Sequence, residues 1–174
     1  MTASPETVVR FCDLHKTFRQ GMAQREVQAV KGIDLEVFGG EIFGFLGPNG
    51  AGKTTSMKIA MGLISATTGH VELFGQGVGA LSVRARIGYL PEHPYFYTYL
   101  TALEIMDFYG SLFGLKRQER RQRIDELLEL VGLAEVKDRR LRGFSKGMLQ
   151  RVGIAQALIN DPDLVVLDEP LSGL

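Results

Sequence analysis

The most informative segment of this chain reads Gly47-Pro48-Asn49-Gly50-Ala51-Gly52-Lys53-Thr54. It matches the phosphate-binding loop pattern GxxxxGK[ST], in which glycines let backbone amides approach phosphate oxygens closely. The continuous apolar run at residues 42–46 predicts a strand that is covered on both faces. Apolar residues at helical spacing then predict a helix over residues 54–64. A strand, a glycine turn and a helix in this order indicate the opening of an α/β unit.

Each part of this segment suits a triphosphate. The following helix points its positive end at the anion, Lys53 can reach the β and γ phosphates, and the Thr54 hydroxyl can coordinate Mg²⁺. The alternative is a glycine turn that only connects two elements. The strand before the turn and the helix after it favour the phosphate loop.

A second candidate site follows the apolar run at residues 164–167. Asp168 and Glu169 come directly after it, at the carboxyl end of a predicted buried strand, where open α/β sheets bind ligands. Asp168 suits the Mg²⁺ shell, and Glu169 suits a general base for an attacking water. The pattern is weak alone, but behind a phosphate loop it predicts phosphoryl transfer to water.

Composition excludes several classes of protein. The 174 residues are 45% hydrophobic and 23% charged, and 20 basic residues balance 20 acidic ones, which argues against a generally basic nucleic-acid binder. The single cysteine, Cys12, excludes an intramolecular disulfide and favours a reducing compartment. The longest run without charged residues, 59–71, is too short to span a bilayer, and the first ten residues do not resemble a signal peptide. We therefore expect a soluble, cytoplasmic protein.

The remaining pattern predicts a strand-rich α/β body with a helical insert at about residues 93–159. Further strands are expected at residues 8–14, 27–37, 71–74 and 87–90. Thr101 and Glu104 form a predicted capping box that opens a helix ending at Gly114. Two more helices are expected over residues 117–131 and 147–159. The charged run at residues 116–123 favours a solvated face, with a phosphate or lipid contact as the alternative.

Residues 144–148, Phe-Ser-Lys-Gly-Met, lie between the two candidate sites in the sequence. Ser145 is a good N-cap, and the backbone amides after it form a candidate anion site. A plain helix start is the alternative interpretation of this segment.

In order and spacing these motifs resemble the ATP-binding cassette of ABC transporters, over essentially the whole chain. Residues 47–55 resemble its Walker A motif, 164–170 its Walker B motif with the catalytic glutamate, and 171–174 the start of its D-loop. Residues 88–92 resemble the Q-loop and 144–148 the family signature. The segments at 88–93 and 144–148 further resemble bacterial ABC-2-type exporter ATPases.

The resemblance implies a P-loop NTPase (RecA-like) core of residues 1–92 and 160–174 with an N-terminal antiparallel β subdomain. It also implies an inserted helical subdomain at 93–159. Catalysis is assigned to Glu169 and Lys53, and the metal Mg²⁺ to Thr54, Glu92 and Asp168. The expected ATP contacts are Phe18, Gly47, Pro48, Asn49, Gly50, Ala51, Gly52, Lys53, Thr54 and Thr55. Phe18 occupies the place of the family's adenine-stacking aromatic, although a core or loop aromatic is the alternative.

The implied partners are ATP, a second nucleotide-binding domain in a head-to-tail dimer, and an ABC-2-type membrane permease. Ser145, Lys146 and Gly147 are expected to contact ATP bound by the other subunit. Dimer closure would drive export from the cytoplasmic face of the membrane, and no nucleic acid is expected. The aromatic cluster at residues 95–99 matches the region that meets the permease, or it packs the helical insert against the body.

Three departures from the family pattern affect these expectations. Glu92 replaces the Q-loop glutamine, and Lys146 and Met148 replace two signature residues. The sequence stops at Leu174 within the D-loop and lacks the switch histidine, so we expect a truncated chain with little activity alone. One alternative is a soluble ABC ATPase, of DNA repair, which the absence of a long heptad run between the Walker motifs disfavours, or of the ribosome, which the single visible cassette disfavours. The other alternative is an inactive cassette.

Overall fold

The computed structural model describes residues 6–20 and 25–171. The chain forms two compact units, divided between Arg84 and Ala85. Among the described residues, no helix combines the length and the apolar character that crossing a bilayer requires.

The first unit is built on an antiparallel sheet, as predicted for the N-terminal part. Its strands are β1 (Thr7–Gln20), β2 (Arg25–Lys31), β3 (Leu35–Phe38), β4 (Thr68–Leu73) and β5 (Gln76–Gly77). The order is β2-β1-β4-β5, and β3 also pairs with β1. The long strand β1 therefore pairs with three strands: β3 along its first half, β2 along its second half, and β4 on the residues between Val9 and His15.

Two helices complete this unit: α1 (Lys53–Ala60) and α2 (Leu81–Arg84). Alternate residues of β1 face the interior, so that Val9 and Phe11 are buried together with Leu73 of β4. The apolar residues Ile59 and Ala60 of α1 and Val83 of α2 are buried as well.

Two strand predictions in this unit are wrong. The predicted strand at residues 27–37 is divided into β2 and β3, because Gly32 adopts a left-handed conformation with φ of 83° and turns the chain. The amides of Gly32 and Ile33 both donate to the Leu14 carbonyl.

Residues 42–46 form no strand. Ile42 is 104% exposed and Leu46 is 91% exposed, so the run is not covered on both faces. An apolar run signals burial, but a strand also needs a hydrogen-bonded neighbour, and among the described residues this segment has none.

Within its described residues, the second unit combines a parallel pair of strands with three α-helices and two short 3-10 helices, Ala134–Val136 and Leu141–Gly143. The strands are β6 (Ile87–Leu90) and β7 (Leu164–Leu167), in the predicted positions. The helices are α3 (Ala102–Leu112), α4 (Arg117–Leu130) and α5 (Lys146–Ala157), each within two residues of its predicted start and end. Their apolar faces form one core, which includes Ile105, Met106, Ile124, Leu128 and Val152.

The predicted capping box at the start of α3 is confirmed. The Glu104 amide donates to the Thr101 hydroxyl oxygen at 3.1 Å, and the Thr101 amide donates to the Glu104 carboxylate at 2.8 Å. Two of the unsatisfied amides at this helix start are thereby paired.

Helix α5 and strand β6 approach each other closely because each carries a glycine at the contact, Gly153 in α5 and Gly88 in β6. A Cβ atom at Gly88 would lie 1.8 Å from the Ala157 carbonyl oxygen, and one at Gly153 would lie 2.5 Å from Leu90 Cδ1. This packing holds the start of the segment after β6 against the helix that carries Ser145 at its N-cap. The division into a core of 1–92 and 160–174 and an insert of 93–159 stays a prediction.

Candidate functional site

The glycine-rich loop of residues 47–52 leads into α1, as its motif predicts. The Lys53 ammonium group donates to the carbonyl oxygens of Gly47 at 2.7 Å and Pro48 at 3.2 Å. The Ala51 amide closes the turn on the Pro48 carbonyl at 3.2 Å. The loop is therefore folded around the lysine ammonium group, which is the group expected to reach phosphate.

Glycine is required at position 52 by the packing of the loop against β2. Gly52 has φ of 92°, and a Cβ atom there would lie 2.3 Å from the Ala29 carbonyl oxygen. Any side chain would push the loop away from the sheet. Gly52 is also the N-cap of α1, without a side-chain cap. The first amides of α1 have no acceptor within the helix, and such amides suit an anion.

Phe18 is a partly exposed aromatic side chain on β1, opposite Val27 of β2. The Lys16 ammonium lies 5.0 Å from the centre of its ring. Ala29, which touches the glycine loop, is two residues from Val27, or roughly 7 Å along the strand. The ring thus lies beside the part of the sheet that carries the loop.

At the other candidate site, β7 delivers Asp168 and Glu169 as predicted. Asp168 is only 1% exposed, and its amide donates to the Leu90 carbonyl at 2.9 Å, which continues the β6–β7 pairing past the end of the strand. Glu169 follows with φ of 50°, a left-handed conformation that few residues other than glycine adopt. Such outliers concentrate at functional sites.

Tyr89 is a residue of this site that sequence reasoning missed. Its hydroxyl is buried and has no hydrogen-bond partner among the described residues. Burial, and secondarily the Asp168 carboxylate, raises the pKa of the Tyr89 hydroxyl, so the group stays protonated at neutral pH and remains a donor. The alternation of β6 could have indicated it, since Tyr89 lies between the buried Gly88 and Leu90 and pairs with Val166 of β7.

Glu92 and the tyrosines after it lie in the exposed segment that follows β6. The Glu92 carboxylate is 3.8 Å from His93 Nε2, so an acidic and an imidazole group adjoin here. Tyr95, Tyr97 and Tyr99 are all exposed, whereas Phe96 and Leu100 pack against the helical core. The permease contact and the packing of the insert against the body both stay predictions.

Ser145 is the N-cap of α5, as predicted. Its hydroxyl accepts from the Met148 amide at 3.2 Å, and the backbone is extended at this residue. Lys146 and Gly147 form the first turn of the helix. The segment is thus a capped helix start with solvent-accessible residues at its tip.

The predicted site residues are divided between the two units. The first unit holds Phe18 and the loop and helix residues 47–55. The second unit holds Glu92, the segment 145–147, Asp168 and Glu169. Within the second unit, β6–β7 pairing and the glycine contacts join the Asp168, Glu92 and α5 regions.

Several known proteins are similar to this chain. A protein-family model described as ABC transporter matches residues 30–172. An uncharacterized ABC transporter ATP-binding protein of Synechocystis is 51% identical over 170 residues, which are 96% of this chain and 48% of that protein. The bacitracin transport ATP-binding protein of Bacillus licheniformis is 39% identical over 170 residues, 97% of this chain and 53% of that protein.

Among solved structures, a dimeric ATP-binding cassette in a post-hydrolysis state with ADP and Pi is similar to this chain. The TM-score is 0.86 at 28% identity, and the match covers 95% of this chain and 75% of that one. The predicted P-loop NTPase fold is thereby confirmed. The chain spans about half the length of the curated relatives it matches.

Proposed function

This chain belongs to the ABC transporter family, and we propose that it is the ATP-binding and ATP-hydrolysing part of a transporter of the ABC-2 exporter type. The observation that carries the proposal is the loop of residues 47–52 folded around the Lys53 ammonium, with Gly52 packed against the sheet. A bound triphosphate offers Lys53 stronger, charged acceptors than the two carbonyl oxygens it contacts.

The loop and the first turn of α1 would hold the phosphates. Backbone amides of Asn49, Gly50 and Gly52, with those of Lys53, Thr54 and Thr55, are the proposed donors, because glycines open the loop and the first amides of a helix have no acceptor within that helix. Phe18 is the proposed platform for adenine, since its exposed ring lies beside the loop-bearing part of the sheet.

The residues present fit Mg²⁺. Hydroxyl and carboxylate oxygens are the ligands that this ion prefers. Asp168 is almost completely buried, and a nearby cation would offset the free-energy cost of burying its charge. Thr54, Asp168 and Glu92 are the proposed holders, directly or through water. Bound there, Mg²⁺ would neutralise charge on the β and γ phosphates.

Hydrolysis would depend on Glu169 and Lys53. Glu169 would accept the proton of the attacking water as general base, and its left-handed backbone fixes where its carboxylate can reach. Lys53 would stabilise the negative charge on the transferred phosphoryl oxygens. The Tyr89 hydroxyl is buried without a hydrogen-bond partner among the described residues, on the strand that pairs with β7, and would be an available donor at this site.

The proposed working unit is a head-to-tail dimer, in which Ser145, Lys146 and Gly147 contact ATP held by the partner. The capped start of α5 supports this role, because its first-turn amides and a lysine lie at a solvent-accessible tip. The dimeric solved structure, similar over 95% of this chain, supports it as well.

The proposed membrane partner is an ABC-2-type permease, with the cassette peripheral on the cytoplasmic face. The exposed rings of Tyr95, Tyr97 and Tyr99 support a docking role, since aromatic side chains are enriched at protein interfaces. Homologues named for bacitracin transport and for Nod factor export support the exporter type.

The test is Mg-ATP binding by the 174-residue chain and its Lys53→Ala variant, measured by calorimetric titration. Each charge-assisted hydrogen bond contributes about 1.5–3 kcal/mol, so we expect affinity to fall by on the order of 10- to 100-fold or more. Lys58→Ala is the matched control, an exposed lysine in the last turn of the same helix, and should bind as the parent does. Equal affinity in the parent and Lys53→Ala, or no binding by any of the three, would refute the proposed site.

A further inference from the structure

The end of α3 and the turn into α4 present apolar side chains to solvent. Leu112 is 65% exposed, Phe108 44% and Phe113 39%. Burying side chains of this size against a partner would be favourable. Phe108 and Leu112 are four residues apart and therefore share one face of α3, and Phe113 is the C-cap of that helix. Adjacent exposed apolar groups of this size indicate a contact surface.

Basic side chains adjoin this apolar surface. Lys116, the N-cap of α4, and Arg117, its first residue, are exposed, and within residues 6–20 and 25–171 neither forms an ion pair. Cations at the positive end of a helix are locally unfavourable. Their placement therefore does not stabilise α4. An anionic partner at this helix end would interact favourably with both the two cations and the helix dipole.

Arg120 and Arg123 of this charged run make contacts within the fold, so the predicted solvated face is only partly present, whereas Arg121 stays exposed and lies 3.9 Å from Asp125 on the same helix. Arg120 contacts Asp107 at 2.6 Å and donates to the Leu115 carbonyl at 2.9 Å. Arg123 contacts Asp161 at 3.0 Å. Among the cations of this charged run, Lys116 and Arg117 are the two without an ion-pair partner within the described residues, and the exposed Glu119 of the same turn has none there either.

These internal contacts also fix the shape of the turn. A Cβ atom at Gly110 would lie 2.7 Å from Arg120 Cγ, so the arginine stem lies directly against the α3 backbone. Arg120 thereby ties α4 to α3 and to the connecting turn. The apolar and basic groups are held in place before any partner binds, which lowers the ordering cost of binding.

We propose that the surface formed by Phe108, Leu112, Phe113, Lys116 and Arg117, the hairpin tip, docks on an anionic phospholipid membrane. Aromatic and leucine side chains beside lysine and arginine match an interfacial lipid contact, in which the apolar groups enter the headgroup boundary and the cations meet lipid charges. The proposal goes beyond ATP hydrolysis and does not depend on it, since no nucleotide takes part.

The chain contains no tryptophan, so a single introduced one reports its own surroundings. We would place it at the hairpin tip with Phe113→Trp, and at the opposite, exposed end of α4 with the control Leu130→Trp. Vesicles of equal parts phosphatidylglycerol and phosphatidylcholine should shift the emission of the first variant to shorter wavelength and leave the second unchanged. Vesicles of phosphatidylcholine alone should produce a much smaller shift.

The contribution of charge is tested by cosedimentation of the full chain with the same anionic vesicles. Each cation near such a surface contributes about fivefold in binding, so Lys116→Gln with Arg117→Gln should weaken binding about thirtyfold. Arg140→Gln with Arg142→Gln, two exposed cations of the same unit, is the control and should change it little. No emission shift in Phe113→Trp, equal shifts at both reporter positions, or equal losses in the two double variants would overturn the proposal. A hairpin tip that binds only another protein would give the first of these results.

Discussion

At the scale of the residue, the site depends on backbone conformation as much as on side-chain chemistry. Gly52 and Glu169 both adopt left-handed conformations, but only at Gly52 is this free of steric cost. A non-glycine residue in that conformation costs roughly 1 kcal/mol. Glu169 is therefore held in a costly backbone conformation at the position where a general base is proposed. Such a cost to the stability of the fold is expected where function requires a particular position of the carboxylate.

We predict that Glu169→Gln abolishes most ATP turnover and leaves ATP binding intact. Glutamine keeps the shape of the side chain but cannot accept the proton of water, and loss of a general base costs about 10²- to 10⁴-fold in rate. Turnover and nucleotide affinity should be measured for the variant and the parent, and the variant is also expected to accumulate a nucleotide-bound dimer. Glu129→Gln, at an exposed position on α4, is the control, and parental turnover in Glu169→Gln would remove Glu169 from the general-base role.

At the scale of the element, the contact of β6 with α5 shows why two glycines occur in otherwise apolar segments. Gly88 brings the strand against the Ala157 carbonyl, and Gly153 receives the Leu90 side chain. The same contact places the residues after β6 beside the helix that begins at Ser145. Packing between these elements therefore sets the relative positions of two proposed functional segments.

We predict that Gly88→Ala destabilises the protein by about 3 kcal/mol, because the added methyl group overlaps a backbone carbonyl that cannot rotate away. Gly79→Ala is the control, since a Cβ atom there meets nothing within 4 Å. It should be neutral or slightly stabilising through the loss of unfolded-state freedom. Urea unfolding of the two variants gives the comparison, and equal midpoints would contradict the close approach of β6 and α5.

At the scale of the whole molecule, two apolar segments of the sequence, residues 42–46 and strand β7, expose side chains to solvent. Residues 42–46 have no strand partner among the described residues, and the parallel sheet of the second unit has two strands, with Val165 and Leu167 partly exposed. Parallel strands are normally covered on both faces. Among the described residues, several large apolar side chains in these two segments are therefore left exposed to solvent.

This surface predicts self-association of the 174-residue chain at high concentration. The double variant Ile42→Ser with Leu46→Ser should remain monomeric to higher concentration, as measured by light scattering over a concentration series. Leu63→Ser with Leu81→Ser removes two exposed leucines outside that run and serves as the control. An identical response of the two double variants would show that residues 42–46 are not the associating surface.

Local signals in the sequence determined much of this protein. The spacing of Gly47, Gly52 and Lys53, the capping residues Thr101 and Ser145, and the apolar run before Asp168 predicted the loop, two helix starts and β7. These features depend on residues close together in the chain, so their physical cause is visible in sequence. The resemblance to the ATP-binding cassette followed from the same motifs and is confirmed by the family match.

Tertiary structure alone decided the features that depend on partners distant in the chain. Gly32 divides the predicted strand at 27–37 because Leu14 accepts its amide, and the segment at 42–46 is no strand because no neighbour pairs with it. Tyr89 belongs to the site because it is buried and responds to the charge of Asp168, which lies 79 positions later in the chain. Arg120 was predicted on a solvated face, but its side chain packs on Gly110. Periodicity reports which residues prefer burial, but hydrogen-bond partners and close contacts are determined only when distant segments meet.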